Sequence, residues 1–114
     1  MKKQFVVLTA LLLLCAVSLS ADCPTTVAVT LPASQPVTRN FCPESSETYN
    51  LNFGGNGSGQ FVMYFDDLTT SSRVAYVNVF PVSSWSCSYN LIANHEYQVN
   101  LSSSAGGYFL AEPQ

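Results

Sequence analysis

Apolar residues recur at every second position over several short runs, and nowhere does the chain sustain an apolar stripe at helical spacing. Such alternation puts one face of each run in a core and the other in water, the pattern of half-buried strands in antiparallel sheets. Val27, Val29 and Leu31 share a face in residues 26–31, and Tyr49, Leu51 and Phe53 share one in 48–53. Phe61, Met63 and Phe65 do so in 60–65, with Val62 and Tyr64 on the opposite face. Residues 73–80 and 86–92 supply two further strands, the second grouping Cys87, Tyr89 and Leu91, and residues 95–101 group Tyr97, Val99 and Leu101. With 37–42 and 107–111 the total is about eight strands, and no helical crossovers are available to make them parallel. The spacing predicts an all-β domain, a small antiparallel two-sheet sandwich or jelly roll, with a small closed barrel as the alternative. Residues 26–31 and 37–42 are expected to form a hairpin about a loop holding Pro32 and Pro36. Residues 54–59, rich in glycine, are expected to be a hairpin loop in which Asn56-Gly57 supplies positive φ.

Lys2 and Lys3 precede an uncharged apolar run over residues 5–17, and Ser18, Leu19, Ser20 and Ala21 offer a cleavage site before Asp22. That is the arrangement of a secretory signal, too short to span a bilayer core. Residues 1–21 are therefore expected to be a signal peptide and 22–114 a single secreted domain, extracellular or, in a bacterium, periplasmic. Roughly ninety residues leave no room for a second core. Neither Cys15 nor Cys23 follows the small residue that a lipid-modified cysteine needs, and no later apolar run is long enough for a spanning helix, so no membrane anchor is expected. Lys2 and Lys3 fall in the signal, leaving only Arg39 and Arg73 against all seven acidic residues. Two isolated arginines cannot make the cationic patch that a phosphate backbone requires, which excludes nucleic acid as a partner.

Removing the signal leaves Cys23, Cys42 and Cys87, an odd number in an oxidising compartment. Cys23 and Cys42 fall at the open end of the expected first hairpin and are the favoured disulfide, with Cys42 to Cys87 next. Cys87 is then the leftover thiol, either a buried small apolar group or the link to a disulfide-bonded partner or second copy. Without a C-x-x-C spacing, and with a single histidine, no metal set is expected.

His95 is the only histidine, and His95-Glu96 lacks the second histidine of a zinc-protease helix. No G-x-S-x-G elbow marks a nucleophilic serine. Asp66 and Asp67, adjacent on an extended segment, point apart and form no acid–base pair, although either is a weak candidate for a loop Ca²⁺ site. The glycine-rich segment lacks the lysine and helix of a phosphate cradle, and no cofactor is expected. Asn56-Gly57-Ser58 and Asn100-Leu101-Ser102 are glycosylation sequons if the source is eukaryotic. Trp85, among serines, is read as either a core residue or a ring that stacks on a sugar, and Tyr64 and Tyr76 are the further candidate ligand-binding residues. The stretch from Tyr97 through Gly107, Tyr108, Phe109 and Leu110 resembles the closing hairpin of secreted β-sandwich modules appended to bacterial exoenzymes.

These readings converge on a non-enzymatic module that binds an extracellular glycan or protein, or serves as a structural surface component. The alternative is a small secreted inhibitor or effector presenting residues 54–59 or 68–73 to a partner protein, with Arg73 as its reactive residue.

Overall fold

The computed structural model describes residues 23–114, and the signal segment expected over 1–21 lies outside them. The described chain is all-β: β1 (Val27–Leu31), β2 (Val37–Phe41), β3 (Glu47–Asp67), β4 (Ser72–Leu91), β5 (Tyr97–Ser103) and β6 (Gly107–Pro113). The predicted fold class holds, with one antiparallel sheet that folds over its own core until it is nearly closed, like a barrel. Its strand order is β1-β6-β3-β5-β2, and β4 pairs with the remaining edge of β3.

Six strands replace the expected eight because two pairs of runs are continuous. Residues 54–59 are not a hairpin loop: β3 passes through them, pairing with β6 as far as Gly55 and with β5 from Phe61 onward. The glycines serve close approach instead of chain reversal. Gly55 lies opposite Gly107, and a side chain on Gly59 would collide with Ser104 and Ala105 of the β5–β6 turn. Backbone groups of the segment are satisfied by that same turn, through Asn56 N–H to the Gly106 carbonyl at 3.2 Å and Gln60 N–H to Ser104 Oγ at 2.8 Å. The positive φ expected of Asn56-Gly57 occurs elsewhere, at Ser71 and Asn94 in turns and at Gly106.

The strand also turns sharply here. Phe53 and Phe61 stack with centroids 4.1 Å apart, whereas eight residues of straight strand span about 27 Å. The two halves of β3 therefore face each other, and most core-facing residues predicted from alternation are buried between them, Leu51, Phe53, Phe61, Met63, Phe65, Val99, Leu101 and Phe109 among others; the 86–92 run departs from this, with Leu91 buried, Tyr89 half-buried and Cys87 exposed.

β1 and β2 do not form a hydrogen-bonded hairpin, since β1 pairs with β6 and β2 with β5. Nor do β5 and β6 form a closing hairpin, because each pairs with a different half of β3. In both cases the connection carries the chain from one side of the core to the other. The Cys23–Cys42 disulfide nevertheless forms as expected, with Cα atoms 5.7 Å apart.

Candidate functional site

Alternation fixes which side chains leave the core. Because Phe61, Met63 and Phe65 point inward, Val62, Tyr64 and Asp66 must point outward. Register then assembles a face: Tyr76 sits opposite Tyr64 and Asn78 opposite Val62 on β4, while Asn100 and Ser102 occupy the same rows on β5. Thr38 of β2 continues the row beyond Asn100.

The Tyr64 and Tyr76 rings lie 4.9 Å apart, inclined at 39°, and are 39% and 51% exposed. Polar neighbours hold them. Arg73 sits over the Tyr64 ring at 5.0 Å while its Nε donates to Asp66 Oδ1 at 2.8 Å. Asn78 Nδ2 donates to the Tyr76 hydroxyl at 3.1 Å, and Asn78 Oδ1 accepts from Gln60 Nε2 at 2.9 Å. At its Asp66–Arg73 end the face meets an open depression of about 460 Å³ beside the β3–β4 turn. Ring faces, amides, a guanidinium and a carboxylate supply apolar stacking together with donors and acceptors, the combination that grips a polyhydroxylated ring.

Phe80, 73% exposed, occupies the next position of the Tyr76–Asn78 side of β4 and did not stand out in the sequence. Counting by twos from Tyr76 would have found it. Asn78 and Gln60 were likewise missed, because their roles depend on partners that only the pairing of strands reveals.

Trp85 lies in β4, not in a serine-rich loop. It stands opposite Phe53 and packs against Phe61 at 5.6 Å, on the core side of the sheet. The structure thus brings Tyr64 and Tyr76 together and leaves Trp85 apart from them. Cys87 is the free thiol among the described residues and shares the inward row of Trp85 and Tyr89, yet it is exposed because β4 is an edge strand with no described strand beyond it. Asn56 and Asn100 are both exposed, the latter directly opposite Tyr64.

Asp66 and Asp67 diverge as adjacent strand residues do. Asp66 binds Arg73 on the outside, whereas Asp67 is buried and its Oδ2 lies 2.8 Å from His95 Nδ1. Asp67 Oδ1 also accepts the Thr70 backbone N–H at 3.1 Å. Burial pushes the Asp67 carboxyl up, but the hydrogen bonds from His95 and Thr70 outweigh it and hold the group below the usual carboxylate range. Among the described residues no hydroxyl is hydrogen-bonded to His95, and no group of three or more acidic, histidine or cysteine side chains gathers to hold a metal. The Asp67–His95 pair is a brace between the β3–β4 turn and the approach to β5.

No family model and no curated protein sequence matches this chain. Solved structures do resemble it. The pre-peptidase C-terminal domain of collagenase from Bacillus anthracis is 11% identical, with a TM-score of 0.55 over 81% of this chain and 90% of that one. PliG, a periplasmic inhibitor of g-type lysozyme from Aeromonas hydrophila, is 11% identical, with a TM-score of 0.48 over 78% of this chain and 84% of that one. The first likeness places the chain among β-domains of this architecture.

Proposed function

We propose that the chain is a secreted, non-catalytic binding module whose Tyr64–Tyr76 face takes a glycan. The observation that carries this reading is the half-exposed tyrosine pair, set on a sheet face and framed by Arg73, Asp66, Asn78, Gln60 and Asn100. A large aromatic surface left in water is costly unless something covers it. Here the rings are also fixed in place by hydrogen bonds and a cation–π contact, so little entropy is lost when a sugar stacks on them. Phe80 extends the apolar contact along the strand. Secretion is part of the proposal and rests on the Lys2–Lys3 and apolar pattern of residues 1–21 and on the Cys23–Cys42 disulfide.

The inhibitor reading is weaker at residues 54–59, which are strand and present no loop. It keeps one support at the β3–β4 turn, where Leu68 is exposed and the backbone is braced by Asp67 and by Thr69 Oγ1, which accepts the Glu96 N–H.

Calorimetry against soluble neutral oligosaccharides, among them glucans, mannans and chitooligosaccharides, tests the proposal. Binding by the unmodified protein that weakens at least tenfold in Tyr76→Ala is expected, about 1.4 kcal/mol. Failure of every oligosaccharide to bind, or binding that Tyr64→Ala and Tyr76→Ala leave unchanged, overturns it.

A further inference from the structure

The rear half of β4 is an edge without the devices that normally blunt one. Exposed strand edges are protected by charge, proline, bulges or shortness. Residues 82–91 contain no Lys, Arg, Asp, Glu, Pro or Gly, and the register with β3 is unbroken from Ser84 to Leu91. β4 pairs with β3 alone, so the outer hydrogen-bonding groups of this stretch have no strand partner among the described residues. By contrast β1 and β2, the other margins, are five residues each and are tied together by the disulfide.

We propose that this edge is a self-association surface, on which a second copy of the chain pairs antiparallel about a two-fold axis at Cys87. The sequence of the strand supplies the reason to choose a second copy. Cys87 is the middle residue of 83–91, and a two-fold there sets each side chain opposite one from the same face of the sheet. Trp85 meets the partner's Tyr89, and Tyr89 meets the partner's Trp85, giving two aromatic cross-strand pairs on the inward side. Ser86 meets the partner's Ser88, and Ser84 the partner's Asn90, on the polar side. No like charges meet, since the stretch holds none. About nine interchain hydrogen bonds close the edge over about 30 Å, a small and reversible interface.

The same axis places Cys87 against the partner's Cys87. Directly opposed residues of antiparallel strands have Cα atoms about 4.5 or 5.5 Å apart, inside the range of a disulfide. A small-molecule disulfide oxidant converts the two thiols to one interchain bond and is itself reduced to two thiols, taking up both electrons and both protons. Pairing comes first and the bond records it. The inference is independent of the glycan reading, whose face lies on the front half of β4.

Sedimentation of Cys87→Ser across a concentration series tests the pairing without the covalent bond. A reversible dimer is expected, weakened at least tenfold when Ser86→Lys and Ser88→Lys are added, with the melting temperature unchanged. Cross-linking by oxidised glutathione reads the register. In the Cys87→Ser background, Ser84→Cys alone should not cross-link, whereas Ser84→Cys with Asn90→Cys should. A monomer at every concentration overturns the proposal, as does a dimer indifferent to the lysines or cross-linked out of this register.

Discussion

The two margins of the sheet solve the same problem differently. At one, β1 and β2 are short, the disulfide joins their outer ends, and the intervening loop is fastened to β5 by Ser34 N–H donating to the Ser103 carbonyl at 2.8 Å. At the other, β4 runs twenty residues with one edge unpaired among the described residues. The closed margin is fixed by a covalent bridge, and the open margin carries exposed or half-buried side chains: Tyr76, Asn78 and Phe80 on the front half, Trp85, Cys87 and Tyr89 on the rear.

Breaking the staple should have the largest effect. Replacing Cys23 and Cys42 together by serine is expected to lower stability by about 3 kcal/mol, since the bridge closes a loop of 19 residues; denaturant titration measures it. If the loss is negligible, the bridge does not set the two margins apart. On the open side Trp85→Ala should cost about 2 kcal/mol, less than a fully buried aromatic, because its ring leans on Phe61 but is only partly buried. A loss of the same size with glycan binding intact would mark Trp85 as packing alone.

The brace at the β3–β4 turn adds a smaller, pH-dependent effect. The Asp67 carboxyl is depressed in the folded state, so its stabilisation is complete above its unfolded value near 3.8 and is lost as pH falls through the folded pKa. The melting temperature of the unmodified protein should therefore fall more steeply below about pH 4 than that of Asp67→Asn, which is less stable at neutral pH and nearly equal to it in strong acid. Parallel curves would deny the brace. The smallest effect on stability is expected from Tyr76→Ala, within about 0.5 kcal/mol, as for surface positions generally.

Much of the core was legible in the sequence, because alternation reports burial directly: Val27 to Leu31, Tyr49 to Phe53, Phe61 to Phe65 and Tyr97 to Leu101 all face inward as read. The disulfide was legible too, although for an incomplete reason, since the strands it joins are not paired with each other. The glycines misled. Asn56-Gly57 carries a strong local turn signal, but the contact that explains the segment is Gly55 against Gly107, far apart in sequence and invisible to any local rule. The same holds for Asp67 and His95, and for the tyrosine face. Tyr64 and Tyr76 were candidates one by one, while their neighbours Asn78, Gln60 and Phe80 became visible only once β3 and β4 were paired.

The proposed ligand face is the outer side of β3 and β4 around Tyr64 and Tyr76. A ¹H–¹⁵N NMR titration with a bound oligosaccharide locates the contact residue by residue. Shifts confined to Tyr64, Arg73, Tyr76, Asn78, Phe80 and Asn100, with Trp85 and Cys87 still, are the predicted result; shifts centred on Trp85, or on the rear half of β4, would contradict it.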